Sequence, residues 1–171
     1  MKYLKLFEDY ENGNGVITYH GGENELSIDN FKEVGIFTTT DKEAAIWYSY
    51  RAEGFLTTLE INLKKPLPNY GKEDFKDKWK PILDEVGIDY TFEEDEDGKG
   101  WFIELPEYDD NLFDLIYNEE FLNAVKKHGY DGMTGWDTMF RGSIEVYIPF
   151  YKKCVKIISN QNYKENKYVS L

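Results

Sequence analysis

Glu93, Asp95, Asp97, Gly98 and Glu104 stand at the first, third, fifth, sixth and twelfth positions of a calcium-loop spacing. Their flanks argue for another role. Ile88-Asp89-Tyr90-Thr91-Phe92 and Trp101-Phe102-Ile103-Glu104-Leu105 read as strands rather than helices, so the acidic segment is expected to be the solvated tip of a β-hairpin. No Gly-rich phosphate loop, no G-x-S-x-G elbow and no His-x-x-x-His pair occurs, which removes the signatures of most familiar enzyme classes. What remains is three segments, each a strand end carrying a polar or aromatic group. They are Tyr19-His20-Gly21-Gly22, then Gly35-Ile36-Phe37-Thr38-Thr39 followed by Tyr48, and Ser143-Ile144-Glu145-Val146-Tyr147-Ile148. Taken singly, each has a plain structural explanation: a turn histidine satisfied by backbone, a core tyrosine, and an outward-facing glutamate on an edge strand.

The elements that must position these groups can be read from periodicity and punctuation. Val16–Tyr19 is a β-branched and aromatic run closed by His20-Gly21-Gly22, and Gly35–Thr39 reads as a second strand. Thr40 and Glu43 have the spacing of a capping box, which predicts a helix to about Arg51 with Ala44, Tyr48 and Ala52 on one face. A strand from Phe55 to Leu63 stops at Lys64-Lys65-Pro66. Phe75, Trp79, Ile82, Leu83 and Val86 have helical spacing, with Pro81 predicting a kink or two short helices. Asn111 to Lys127 is helical with a break at Asn118, and Gly129 stands where a helix C-cap belongs. Ser143–Phe150 and Cys154–Ile158 are closing strands, Pro149 marking an edge or a bulge.

The 171 residues fit one domain, 1–171, with no internal repeat and no dividing linker. Hydrophobic residues make up 41% and aromatics 17%, enough apolar surface to offset the entropy of ordering. Asp and Glu number 33 against 20 Lys and Arg, a formal charge of -13, so the chain should repel phosphate backbones unless its cations cluster on one face. No apolar run is long enough to span a bilayer, and the lone Cys154 cannot form an internal disulfide. A monomeric cytoplasmic protein with no membrane partner is the expectation, in the host cytoplasm if the chain is virus-encoded.

In order along the chain, the three segments resemble the ADP-ribosyltransferase family, most closely its diphtheria-toxin and poly(ADP-ribose)-polymerase branch with a His-Tyr-Glu triad. In that branch a strand ends in His-Gly, a Gly-Ile-Tyr-Phe strand runs into a helix presenting Tyr, and a late strand carries Glu. Gly129-Tyr130-Asp131-Gly132 ahead of the Glu strand, with Val155-Lys156-Ile157-Ile158 after it, is similar to small transferase-like domains of bacterial viruses and mobile elements. The resemblance covers about a third of the chain and leaves residues 64–128 as an unrecognised inserted helical and hairpin region.

The resemblance implies an α+β fold with a split antiparallel β core of two sheets and flanking helices. It implies NAD as substrate without a metal, and transfer of one ADP-ribose to a macromolecular acceptor, a host protein. His20 would bind a ribose hydroxyl, the Gly21 backbone would pair with the nicotinamide carboxamide, and the Thr38 segment would complete the site. Tyr48 or Phe37 would stack on the nicotinamide, and Glu145 would stabilise the ribose oxocarbenium. Phe37 stands where the polymerase branch has Tyr, which removes a hydrogen-bond donor. Ser143 stands where the arginine-modifying branch has Glu or Gln, which weakens an arginine target. Two alternatives accompany this reading: an acidic, non-enzymatic inhibitor mimicking nucleic acid, and a relative of the same fold that binds or hydrolyses NAD.

Overall fold

A computed structural model describes residues 15–29, 35–51, 54–72, 74–96, 98–108, 112–140 and 142–162. The strands are β1 (Val16–Gly22), β2 (Thr38–Thr39), β3 (Phe55–Ile61), β4 (Pro66–Pro68), β5 (Thr91–Glu94), β6 (Trp101–Glu104), β7 (Gly132–Phe140), β8 (Gly142–Pro149) and β9 (Val155–Asn162). The α-helices are α1 (Lys42–Arg51), α2 (Phe75–Val86) and α3 (Glu119–Lys127).

The fold is α+β. Seven strands form one sheet in the order β4-β7-β8-β2-β1-β3-β9, and β5 pairs with β6 as a separate hairpin. All pairs are antiparallel except the edge pair β4–β7. The second sheet is therefore the predicted hairpin rather than half of the core. A discontinuity does exist inside the large sheet. β1 and β3 are matched over seven residue pairs from Val16↔Ile61 to Gly22↔Phe55, whereas β1 meets the short β2 only at Tyr19↔Thr39. That one rung is the seam between β4-β7-β8-β2 and β1-β3-β9.

Strand alternation sends side chains of β8 into two cores. Ile144, Val146 and Ile148 enter the larger one, while Tyr147 on the opposite face joins Val16, Leu59, Ile61, Leu63 and Cys154 in the smaller. The larger core is built mostly from residues 64–128: Leu67, Phe75, Trp79, Ile82, Leu83, Leu115, Phe121 and Val125 are all fully buried there, with Ala44 of α1 against them. The region without a recognised likeness is thus integral to the domain. Buried apolar area at about 25 cal/mol per Å² is the main stabilising contribution available to such a chain.

Local signals explain several elements. The cap of α1 is Asp41 rather than Thr40: its Oδ1 accepts from the N–H groups of Glu43 at 2.9 Å and Ala44 at 3.0 Å. The start moves one residue because the Asp41 carboxylate reaches both free amides. Ala52 lies outside the described residues. Pro81 does not divide α2, which is one twelve-residue helix closed by Gly87 at φ 74°. The Asn118 break is real: residues Leu112–Tyr117 form a 3-10 helix, and Asn118 Oδ1 caps α3 by accepting from Phe121 N at 3.0 Å. Gly129, at φ 82°, follows α3 as expected. Pro149 ends β8, an interior strand, beyond its pairing with β2 at Tyr147 and Val146. No helix among the described residues is long and apolar enough to cross a membrane.

Candidate active site at the sheet seam

At the seam the ladder gives way to a side chain. His20 Nδ1 lies 2.9 Å from the carbonyl oxygen of Phe37. A carbonyl only accepts, so Nδ1 carries the proton and, in the neutral ring, Nε2 is left as an acceptor. Burial holds the imidazole below its ordinary pKa, the bond to Phe37 acting in the opposite sense, so the ring is neutral at neutral pH.

A cavity of about 300 Å³ opens beside this bond, at the lower end of the range of about 300–1,000 Å³ usual for small-molecule sites. Tyr19, His20 and Gly21 of β1, Phe37, Thr38 and Thr39, and Ala45 and Tyr48 of α1 form one side; Ile144 and Val146 of β8 form another. Five of the residues expected to bind substrate, His20, Gly21, Phe37, Thr38 and Tyr48, are therefore walls of one cavity. Phe113, Asp114 and Tyr117 from the 3-10 helix and Asp137 from β7 complete it. These four were not anticipated from the sequence, because their own segments carry no motif and only the fold brings them to β1.

Each anticipated group has a definite environment. The Cβ that Gly21 lacks would stand 2.1 Å from the carbonyl oxygen of Ala45 and 2.6 Å from Ser49 N, so the backbone of α1 occupies the space of that missing side chain. Gly21→Ala must push α1 and Tyr48 outward, and we expect it to cost about 1–3 kcal/mol and to weaken ligand binding, read by thermal melting and by titration. Thr38 Oγ1 donates to the carbonyl of Tyr147 at 2.8 Å, tying β2 to β8. Phe37 is held edge-on by Phe113 at 5.5 Å, and Tyr48 meets Trp47 in the same manner at 5.1 Å.

Glu145 is on β8 between the two lining residues Ile144 and Val146, but alternation turns its side chain to the face of Tyr147, whose hydroxyl donates to its Oε1 at 2.9 Å. It is half-buried, and that desolvation raises its carboxyl above the ordinary range, partly offset by the Tyr147 bond. The carboxylates among the lining residues are Asp114 and Asp137, and none of those residues is Lys or Arg. Aromatic rings, two carboxylates and a neutral imidazole acceptor make an environment for a flat, positively charged ring bearing a hydroxylated substituent.

At the hairpin tip, Asp95 is engaged by the Tyr70 hydroxyl and by Lys99 N, which holds its carboxyl below the ordinary range. Asp97 lies outside the described residues. No protein-family model, no curated protein and no solved structure matches the chain.

Proposed function

We propose that the chain is an NAD-dependent mono-ADP-ribosyltransferase of ADP-ribosyltransferase-like fold acting on a macromolecular acceptor, a host protein. The observation that carries this reading is the seam cavity, where the three segments of the family resemblance lie on the neighbouring strands β1, β2 and β8. The cationic nicotinamide enters between the rings of Phe37 and Tyr48, and the absence of lysine or arginine among the lining residues favours that end of NAD over its diphosphate. His20 Nε2 accepts from a ribose hydroxyl.

The glycosidic C–N bond then breaks, its electron pair leaving with nicotinamide as a neutral molecule. Positive charge spreads over C1′ and the ring oxygen of the ribose. Glu145, which the resemblance assigns to stabilising that charge, is held by Tyr147 on the β8 face opposite the lining Ile144 and Val146 and would have to turn toward the ribose, whereas Asp137 lines the cavity and adds negative potential from β7. The acceptor nucleophile closes on C1′ and its proton passes to the Glu145 carboxylate. The raised pKa of Glu145, from desolvation partly offset by the Tyr147 bond, is in keeping with a group that exchanges a proton.

The test is to incubate the protein with NAD labelled in its adenosine half and a cell lysate, and to measure free nicotinamide and labelled macromolecule. Both products are expected to rise together. Free nicotinamide and ADP-ribose without labelled acceptor would convert the reading to NAD hydrolysis, and neither product would overturn it. Tyr48→Phe is expected to keep NAD affinity within a few-fold and Tyr48→Ala to lower it about ten-fold, since stacking uses the ring and not the hydroxyl. Unchanged titrations for both would make Phe37 the stacking ring.

A further inference from the structure

The chain has three Lys-Lys doublets, Lys64-Lys65, Lys126-Lys127 and Lys152-Lys153, far apart in sequence and each at the end of an element. The fold brings the first and third together at a second cavity of about 510 Å³, and the second, at the end of α3, comes near it through Lys126 beside the Tyr151 ring. Lys64, Lys65 and Lys153 line it, with Tyr130, Tyr151 and the buried Cys154 as its apolar part. Lys65 Nζ sits 4.5 Å from the centre of the Tyr130 ring, and Lys153 and Lys126 approach the Tyr151 ring at 5.1 and 5.4 Å.

The charges are not cancelled locally. Asp131 is the carboxylate among the lining residues, and it faces backbone: it accepts from Lys64 N at 2.6 Å and Lys65 N at 3.0 Å. Lys65 Nζ donates to the carbonyl of His128 at 3.0 Å, and the ion pairs among the described residues involve Lys78, Lys80, Lys127, His128 and Lys156, not Lys64, Lys65 or Lys153. In a chain of formal charge -13, Lys64, Lys65 and Lys153, facing the single carboxylate of Asp131, leave the lining of this cavity locally positive. The site is separate from the seam. His20 pairs with Thr57, whereas Ile61, at the other end of β3, leads into Asn62 and Lys64.

We propose that this cavity binds the phosphate of a nucleotide, free or within a single strand, with Lys64, Lys65 and Lys153 on the phosphate and the Tyr130 and Tyr151 wall beside the rest of the nucleotide. Ammonium groups recognise phosphate as point charges, and base stacking on aromatic side chains is the usual complement to such a basic groove. The inference is independent of the transferase reading.

The experiment is fluorescence anisotropy of the full chain with a fluorescein-labelled ten-residue oligothymidylate, competed by AMP and by inorganic phosphate, with nicotinamide release from NAD measured alongside. Saturable binding is expected, weakening as salt rises with a log–log slope of about -0.7 per phosphate neutralised. The triple substitution K64Q/K65Q/K153Q should weaken binding at least ten-fold, K64R/K65R/K153R should restore it, and neither should alter nicotinamide release. Displacement by AMP at equal affinity identifies a free nucleotide as the ligand, and tighter binding of the strand identifies a nucleic acid. Absence of saturable binding by every probe, or a Gln triple variant binding as tightly as the native chain, overturns the proposal.

Discussion

Glu145→Gln is expected to leave NAD affinity within a few-fold while lowering turnover by roughly 10²-fold or more. The amide keeps the shape of the carboxylate and its acceptor oxygen for the Tyr147 hydroxyl, 2.9 Å away, so the local packing survives. Only the full negative charge is lost, and that charge matters most when the ribose becomes cationic, which places the effect in the rate rather than in binding. A factor of 10² corresponds to about 2.7 kcal/mol of transition-state stabilisation. Near-native turnover in this variant would remove Glu145 from the mechanism and transfer the role to Asp137, which lines the cavity directly.

The same carboxyl predicts the pH profile. Desolvation raises its pKa, so the acid limb of turnover should lie above the ordinary carboxylate value of about 4.3. The hydroxyl of Tyr147 stabilises the charged form. Tyr147→Phe removes that bond, raises the pKa further and should move the acid limb to higher pH. A limb that stays in place would mean another group titrates.

Trp79→Ala is expected to cost about 3–5 kcal/mol, a large share of the 5–15 kcal/mol typical of a folded domain. Trp79 is fully buried, its ring stacks on Phe121 with centroids 5.8 Å apart, and its indole N–H donates to the carbonyl of Pro68 at 2.7 Å. Alanine leaves a cavity and an unpaired carbonyl at once. Because this core also receives Ala44 from α1 and Val146 from β8, the loss should carry NAD turnover with it as the chain unfolds on heating. Full activity after Trp79→Ala, with unchanged melting, would instead mark residues 64–128 as a detachable appendage.

How much was legible depended on how local the cause was. The β5–β6 hairpin, α2 and the Asn118 and Gly129 punctuation follow from alternation, helical spacing and capping chemistry, each settled within a few residues. β7 did not follow. Its Gly132 and Gly135 break every strand pattern, and the reason is tertiary: a Cβ at Gly132 would meet Leu63 and the carbonyl of Ile148, and one at Gly135 would meet the side chain of Asn69. β4 was hidden for a related reason, since Pro66 and Pro68 read as a chain break yet are tolerated on an edge strand that pairs on one side with β7. At the site, His20, Gly21, Phe37, Thr38 and Tyr48 could be grouped in advance through the family resemblance, which grouped Glu145 with them although it does not line the cavity. Asp114 and Asp137 could not, as nothing in their segments distinguishes a cavity carboxylate from a solvated one. Nor could Lys64, Lys65 and Lys153, which only the fold brings to one cavity.

An elastic body yields where the fewest bonds cross it, and in this sheet that place is the rung Tyr19↔Thr39 with the His20 bond beside it. The β1–β3 and β7–β8 ladders behave as two stiff plates. Bending between them would widen or narrow the cavity at the seam, resisted by the smaller core, where Tyr147 of β8 packs with Val16 of β1 and Leu59 of β3. If the proposed transferase reading holds, a change that stiffened the rung would tighten the grip on the dinucleotide while slowing the escape of nicotinamide.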